Sequence, residues 1–265
     1  MGDSLLGRVI WYELLTSDVK AAEEFYTQIV GWTVAPFKGS KQGPRQDPQQ
    51  DYHLWMRTPD KSIGGVMKIP DGMSFPPHWG MYIGVPRLED VVTAIQRRGG
   101  KPLTPVTDVP EVGRMCTMAD PQGAAFSLLE PAMRGTPSDT EAQIGDTSWH
   151  ELYTTDAEAA MKFYTELFGW QATEPFDMGP MGKYYMFARG VAFGGGMMNK
   201  PKEMAQVPPH WGFYFRVPDV HAAAERVKQR GGQILNGPME VPGGDWAVNC
   251  TDPQGAAFSL HHKKK

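Results

Sequence analysis

A chain of 265 residues can hold one large domain or two ordinary ones, and a hydrophobic content of 41% supplies enough apolar side chains for real cores. A net charge of −4 gives no basic footprint for nucleic acid or for an anionic membrane surface, and no apolar run reaches membrane-spanning length. The first residues lack the layout of a signal peptide, and 2 Cys make no disulfide framework, so we expect a reducing, cytoplasmic setting.

Internal repetition dominates the sequence. The nine residues Asp-Pro-Gln-Gly-Ala-Ala-Phe-Ser-Leu occur at 120–128 and again, letter for letter, at 252–260. An earlier segment, 11–18, matches 149–156, and a Pro-Pro-His-Trp-Gly motif also occurs twice. The spacing between copies drops by six residues from the early to the late matches, which places a deletion in the polar loop around 38–50. We therefore predict two domains, residues 1–130 and 147–265, joined by a polar linker at 131–146.

Each copy has the same order of predicted elements. Strand 9–15 precedes Asp18, a typical helix N-cap, and apolar residues then recur at helical spacing until Gly31. Three strands follow, at 33–38, 52–57 and 62–68. A strand at 79–85 then leads into an amphipathic helix at 88–98, which ends at two glycines. Three final strands lie at 101–106, 114–118 and 124–129. The second copy repeats this order, with its later helix at 220–230. The sequence predicts an α+β protein of four βαβββ modules, paired because a single module cannot bury its sheet.

These motifs, in register and present twice, resemble the glyoxalase/bleomycin-resistance/extradiol-dioxygenase superfamily, also called vicinal oxygen chelate proteins. The resemblance covers nearly the whole chain and is closest to two-domain glyoxalase-like proteins. It implies two tandem glyoxalase-like domains, each a cupped mixed sheet around a cavity with helices outside. The fold hosts lyases, dioxygenases, epimerases and binding proteins, so the resemblance alone does not imply one reaction.

The resemblance also implies a divalent metal held by His and Glu side chains from four strands. The matching positions hold Trp11 and Trp149, the glycine stretches 64–65 and 194–196, Gly80 and Gly212, and finally Ser127 and Ser259. Tryptophan and glycine offer no ligand atom on the side chain, and a serine hydroxyl is a poor substitute for a carboxylate. We therefore expect no cofactor, with a divalent metal as the alternative.

Two glutamates are the candidate catalytic residues. Glu13 and Glu151 follow the first lost ligand position by two residues, so strand alternation points them into the cavity. A buried carboxylate can act as a general acid or base, or can fix the strand through a hydrogen bond. Trp11 and Trp149 either form an aromatic wall for a flat ligand or fill the cavity as core.

Further candidates for ligand binding lie on neighbouring strands. Tyr82, Tyr214 and Arg216 share the parity of the lost ligand column, and Ser127 and Ser259 occupy the last ligand position. We expect His53 to face the same cavity. His150 and His210 are further candidates, because with His261 and Glu151 they could form an off-register metal site in the second domain. Strand alternation points His150 to the opposite face, and His210 equally suits a structural bond to a backbone carbonyl.

Three functions remain open from the sequence. The first is a metal-free protein that binds a small aromatic or apolar molecule. The second is a superfamily enzyme of lyase, dioxygenase or hydroxylase type, using an off-register metal site or Glu151 or Glu13 as a general base. The third is a scaffold whose cavities are plugged by tryptophan. We expect a small-molecule partner, no nucleic acid and no membrane, and a monomer or a homodimer.

Overall fold

The computed structural model describes residues 5–37, 52–133, 140–190 and 193–264. The first half contains the elements β1 Arg8–Thr16, α1 Val19–Ile29, β2 Thr33–Pro36, β3 His53–Thr58, β4 Lys61–Lys68, β5 His78–Gly84, α2 Leu88–Arg97, β6 Lys101–Pro102, β7 Thr107–Val109, β8 Gly113–Ala119 and β9 Ala125–Pro131. The expected loop around 38–50 and residues 134–139 of the predicted linker lie outside the described residues.

The second half repeats this order with two added turns of 3-10 helix. Its elements are β10 Thr147–Thr154, α3 Ala157–Phe168, β11 Gln171–Ala172, β12 Phe176–Asp177, a 3-10 turn at Gly179–Met181, β13 Lys183–Arg189, β14 Phe193–Asn199, a 3-10 turn at Lys202–Met204, β15 His210–Arg216, α4 Val220–Gln229, β16 Gln233–Glu240, β17 Trp246–Thr251 and β18 Ala257–His262. No helix in the described part of the chain is both long and apolar enough to cross a membrane.

Each half forms one mixed sheet, which confirms the α+β class and the two tandem glyoxalase-like domains. The strand order is β2-β3-β4-β1-β5-β9-β8-β6 in the first sheet and β11-β13-β14-β10-β15-β18-β17-β16 in the second. The first strand of each domain pairs in parallel with the last strand of its own module and antiparallel with the first strand of the next module. The two modules of a domain therefore meet at the β1–β5 and β10–β15 seams.

The predicted helix signals are confirmed. The Asp18 carboxylate accepts a hydrogen bond from the Ala21 amide at 3.0 Å, and Asp156 caps α3 on Ala159 in the same way. One strand prediction differs from the structure. Of the expected strand 101–106, only β6 at Lys101–Pro102 forms, and a separate short strand, β7, follows at Thr107–Val109. Pro102 and Pro105 lack the N–H groups that a continuous ladder requires, which explains the break.

The helices tie the two domains to each other. The ring of Phe25 on α1 packs edge-on against Phe258 in β18, and Phe126 in β9 packs against Tyr164 on α3. One continuous apolar core consequently runs through both domains. The indole N–H of Trp32 reaches the Gly145 carbonyl at 2.8 Å, and that of Trp170 reaches the Gly7 carbonyl at 2.7 Å. The first helix of each domain thus packs against the other domain.

Candidate functional site

A buried glutamate lies on the inner face of each sheet, at equivalent positions of β1 and β10. Glu13 is 6% exposed and Glu151 is 7% exposed. Burying a charged carboxylate is unfavourable unless donors surround it, so the neighbours of each glutamate define the site.

Three tyrosines donate to the Glu151 carboxylate in the second domain. The hydroxyl of Tyr153 lies 2.5 Å from Oε2, that of Tyr214 lies 2.6 Å from Oε2, and that of Tyr184 lies 2.8 Å from Oε1. The indole N–H of Trp149 donates to the Tyr184 hydroxyl at 2.8 Å. We call Glu151, Tyr153, Tyr184, Tyr214 and Trp149 the Glu151 cluster. In this cluster, one carboxylate is surrounded by aromatic side chains.

The phenols of the Glu151 cluster are held in their protonated, donating form. Burial, reinforced by the Glu151 charge, raises the pKa of Tyr153, Tyr184 and Tyr214 far above the usual value. A phenol with a raised pKa keeps its proton at any physiological pH. The site therefore offers donors directed at one carboxylate and no positive side chain in contact with it within the described residues.

The glycine run in β14 makes room for one of these rings. A Cβ on Gly196 would lie 2.0 Å from the Tyr184 ring, and a Cβ on Gly65 would lie 2.1 Å from the Tyr52 hydroxyl in the first domain. The position where the superfamily resemblance implies a glutamate ligand is therefore covered by a tyrosine from the adjacent strand. Glycine is needed there because the ring approaches the backbone so closely.

The first domain has a reduced version of this arrangement. Tyr82 donates to Glu13 Oε2 at 2.8 Å, and the Trp11 indole donates to the Tyr52 hydroxyl at 2.8 Å. Leu15 stands where the second domain has Tyr153, so this domain lacks one of the three phenols.

The two serines at the last ligand position hydrogen-bond within their own sheets. Ser127 pairs with the Thr117 hydroxyl at 2.9 Å. Ser259 accepts from the Asn249 amide at 2.8 Å, and the same amide reaches the Tyr214 hydroxyl at 3.2 Å. Ser259 thus connects to the Glu151 cluster through Asn249.

A cavity of about 240 Å³ lies beside Tyr82 in the first domain. It is lined by Tyr82, Thr104, Thr107, Val109, Met115, Cys116 and Thr117. Its lining mixes hydroxyl groups with apolar surface, which is typical of sites for small amphipathic molecules. Burial raises the pKa of the Cys116 thiol to about 11, so this cysteine is a poor nucleophile.

His210 lies at the edge of the Glu151 cluster. Its ring stacks on Tyr153 with centroids 5.3 Å apart, and Nδ1 donates to the Pro208 carbonyl at 2.9 Å. Burial lowers the pKa of His210, so the ring is neutral at pH 7. His78 makes the equivalent bond to Pro76 at 2.9 Å.

Three of the expected site residues lie away from both glutamates. His53 points to the helix side and pairs with Glu23 on α1. Arg216 binds the linker, donating to the Ala142 carbonyl and lying 3.5 Å from Glu141.

His150 is the third, and it lies between the domains. Its Nε2 accepts from the Tyr12 hydroxyl at 2.6 Å, while Nδ1 donates to the Gly194 carbonyl at 3.0 Å. Burial lowers the pKa of His150 to about 4, and the hydrogen bond to the Gly194 carbonyl offsets only part of this shift.

The buried His150 predicts a loss of stability in acid. Its pKa is about 4 in the folded protein and about 6.5 in the unfolded chain, so the stabilisation is present above pH 6.5 and is lost as the pH falls toward 4. Over that window we expect the wild type to lose about 3 kcal/mol relative to a His150→Gln variant, whose side chain does not titrate. Urea unfolding of both proteins at several pH values measures the difference, and parallel stability curves would contradict it.

The four positions that correspond to metal ligands do not fit a metal in either domain. They present an indole, a glycine covered by tyrosine, a second glycine and a serine already bonded within the sheet. Across the described ranges, no group of three His, Cys, Asp or Glu side chains is placed to hold an ion. The off-register alternative is likewise not assembled, since His150 binds Tyr12 and His210 binds Pro208.

Sequence reasoning missed Tyr52, Tyr153, Tyr184 and Asn249. Tyr52 and Tyr184 are repeat equivalents that precede the glycine runs, and that repetition is the signal that could have found them. Tyr153 and Asn249 have no such signal, because Leu15 and Thr117 replace them in the first copy.

Comparison with known proteins supports the fold and the family. The model of the "Glyoxalase/Bleomycin resistance protein/Dioxygenase superfamily" matches residues 145–260, and that of the "Glyoxalase-like domain" matches residues 11–129. "Putative glyoxylase CFP32" of Mycobacterium tuberculosis is 32% identical over 253 residues, covering 94% of this chain and 92% of that protein. "Anthracycline biosynthesis protein DnrV" of Streptomyces peucetius is 28% identical over 268 residues, covering 96% of this chain and 92% of its own length.

Solved structures share the fold at low identity. The Mn(II)-bound glyoxalase from Novosphingobium aromaticivorans superposes with a TM-score of 0.63 at 14% identity, covering 98% of this chain and 83% of that chain. The 2,3-dioxygenase LapB from Pseudomonas sp. KL28 gives a TM-score of 0.64 at 16% identity, covering 99% of this chain and 94% of that chain. The chain belongs to the glyoxalase/bleomycin-resistance/dioxygenase superfamily, with one glyoxalase-like domain in each half.

Proposed function

We propose that this protein binds a small aromatic molecule that carries a hydroxyl or amine donor, and that it does so without a metal ion. The Glu151 cluster is the observation that supports the proposal. A carboxylate can accept about four hydrogen bonds, and three tyrosines supply three of them. One acceptor site on Glu151 therefore remains for a donor on the ligand.

The surroundings of the carboxylate favour an aromatic partner. Trp11 and Trp149 are only half-buried, so each indole keeps a face that a flat ligand can cover. This partial exposure argues against cavities filled by tryptophan. The relatives named for anthracycline biosynthesis point the same way, because anthracyclines contain fused aromatic rings.

The absence of suitable metal ligands supports a metal-free mode of binding. The superfamily resemblance implies a divalent metal in the cavity, held by His and Glu side chains. Here, the carboxylate and the phenol groups around it take over the anchoring role, and the donor on the ligand takes the place of the coordination bond.

Titration with 1,2-dihydroxyanthraquinone, a flat diphenol, tests this function. We expect quenching of tryptophan fluorescence and a raised melting temperature, with about 2.7 kcal/mol of added stability at a hundred times the dissociation constant. For a chain of this size that gain corresponds to roughly 5–10 °C. EDTA should leave the shift unchanged, and a shift abolished by EDTA and restored by Mn²⁺ would contradict metal-free binding.

Two variants locate the binding. Tyr153→Leu installs the residue of the first domain and removes one donor from Glu151, so we expect roughly tenfold weaker binding at the second domain. Glu151→Gln replaces the acceptor and should weaken it further. The same titration on Glu13→Gln reports the first domain, and equal affinity in all four proteins would show that the ligand binds elsewhere.

Proton transfer by Glu151 is the second candidate function. The observation that favours it is the charge-assisted hydrogen bond that the Tyr153 hydroxyl donates to the carboxylate at 2.5 Å. An enzyme of this type would remove a proton from the bound ligand. Exchange of a ligand C–H for deuterium in heavy water, lost in Glu151→Gln, distinguishes this activity from binding alone.

A further inference from the structure

A serine, a histidine and an aspartate form a hydrogen-bonded chain in the second domain. Ser148 Oγ lies 2.8 Å from His261 Nδ1, and His261 Nε2 lies 3.0 Å from Asp245 Oδ2. The three residues come from β10, from β18 and from the turn before β17, so the fold brings together groups far apart in sequence. None of them belongs to the Glu151 cluster.

The hydrogen bonds fix the proton positions on His261. An ionised carboxylate only accepts, so Nε2 must carry the proton that Asp245 receives. In the neutral ring the lone pair is then on Nδ1, facing the Ser148 hydroxyl. Burial, helped by the neighbouring Arg216 charge and opposed by Asp245, lowers the pKa of His261, which keeps this neutral form dominant at pH 7.

This Ser–His–Asp hydrogen-bonded chain occurs in the second domain but not at the equivalent positions of the first. The equivalent positions of the first domain hold Ile10, Leu129 and Gly113, none of which has a titratable or nucleophilic group. Ser148 lies at an irregularity of the β10–β15 register between Thr147 and Trp149. The groups are also reachable, since the side chains of His261 and Asp245 are 17% and 27% exposed.

The geometry points to Ser148 as a nucleophile for acyl transfer, with His261 as its general base and Asp245 as the residue that positions the imidazole. The arrangement follows the logic of the serine–histidine–aspartate triad with the two ring nitrogens exchanged. Because Ser148 is half-buried, the substrate class is an activated ester of a short carboxylic acid.

The reaction balances with water as the second reactant. Ser148 Oγ forms a bond to the acyl carbon, His261 Nδ1 takes the hydroxyl proton, and the ester C–O bond breaks as the leaving alcohol receives that proton. Water then attacks the acyl-serine, gives one proton to His261 and releases the carboxylic acid, while Ser148 regains its hydrogen.

A purely structural role would explain the same bonds differently. Ser148 Oγ also lies 3.2 Å from the Tyr214 carbonyl, and Asp245 Oδ1 accepts from the Lys264 amide at 2.9 Å. In that case the three hydrogen-bonded residues would only hold the last strand, β18, in place. Ser148 would donate to the Tyr214 carbonyl and show no unusual reactivity. The experiment must therefore measure reactivity rather than stability.

Labelling with a fluorophosphonate probe, followed by peptide mass mapping, separates these roles. We expect covalent modification at Ser148 and a burst of p-nitrophenol from p-nitrophenyl acetate. Both should vanish in Ser148→Ala and fall at least tenfold in His261→Leu, which installs the residue of the first domain. A His262→Gln variant, altered at the adjacent histidine, should react like the wild type, and circular dichroism verifies that each variant is folded.

The pH profile tests the two partners of Ser148. Labelling should fall in acid as His261 is protonated. Asp245 raises the pKa of His261, so Asp245→Asn should slow labelling and move its midpoint to lower pH. The inference is overturned if folded wild type takes no label at Ser148, or if His261→Leu labels at the wild-type rate. Loss of aromatic-ligand binding at Glu151 would leave these outcomes unchanged, so the two proposals fail separately.

Discussion

A Gly195→Ala variant should lose about 3 kcal/mol of unfolding free energy, and its melting temperature should fall by roughly 6–12 °C. In the parallel β10–β14 ladder Gly195 lies opposite His150, and an added Cβ would lie 2.2 Å from the His150 carbonyl oxygen. The same methyl group would lie 2.5 Å from the Phe187 ring, which is buried. Backbone on one side and a packed ring on the other leave no direction in which the methyl group can move.

Two matched glycine variants control for this prediction. Gly64→Ala repeats the clash in the first domain, where the Cβ would lie 2.4 Å from the Tyr12 carbonyl oxygen. Gly212→Ala places its methyl group no closer than 3.7 Å to a neighbour, and we expect a change within about 1 kcal/mol. Thermal unfolding followed by circular dichroism measures all three. If Gly195→Ala melted together with Gly212→Ala, the close strand approach would be wrong.

These glycines show what sequence could and could not establish about the site. Repeated motifs are enough to place the modules, the helix caps and the paired glutamates. Each of these features follows from a local pattern: the period of a helix or strand, or a capping residue next to its helix. The glycine runs fall at a ligand position of the superfamily pattern, but the sequence does not show the steric reason for them. It depends on Tyr184 in the neighbouring strand β13 and on Tyr52, which comes just before the neighbouring strand β3.

His53 illustrates the same limit. Its strand follows the predicted polar loop around 38–50, so the sequence alone does not tell which face of β3 each side chain occupies. The structure pairs His53 with Pro36 and Val66 and turns it toward Glu23, which leaves the adjacent Tyr52 on the inner face. A shift of one residue in a strand exchanges the two faces, and only the tertiary register decides between them.

Contacts between the domains were equally hidden from the sequence, although both partners were recognised as repeats. The Phe-Tyr pair of each first helix and the Asp-Pro-Gln-Gly turn of each last strand meet across the domain boundary. Tyr26 donates to Asp252 at 3.1 Å, and Tyr164 donates to Asp120 at 3.1 Å. Each tyrosine also accepts an indole N–H, from Trp79 at 2.9 Å and from Trp211 at 3.1 Å. Identical motifs thus hold the two domains together reciprocally.

An Asp252→Ala variant should lose about 4 kcal/mol, because three donors lose their acceptor at once. Asp252 Oδ1 accepts from the amides of Gln254 at 3.0 Å and Ala256 at 2.8 Å, while Oδ2 accepts from Tyr26. The residue is 2% exposed, so water cannot replace the lost bonds without opening the interface. Urea unfolding gives the free energy, and Asp120→Ala in the other domain should behave alike.

A double-mutant cycle separates the turn from the interface. Tyr26→Phe removes the bond to Asp252 and also the bond that the Tyr26 hydroxyl accepts from Trp79, and it should lose about 2 kcal/mol. In the Asp252→Ala background the same change should lose less, because only the Trp79 bond is then left to remove. Asp219→Ala is the control, since this exposed carboxylate caps α4 within one domain and its loss should leave the contact between the domains unchanged. Additive effects of Tyr26→Phe and Asp252→Ala would mean that the apolar contacts between the helices and sheets, and not the buried Tyr–Asp bonds, hold the domains in register.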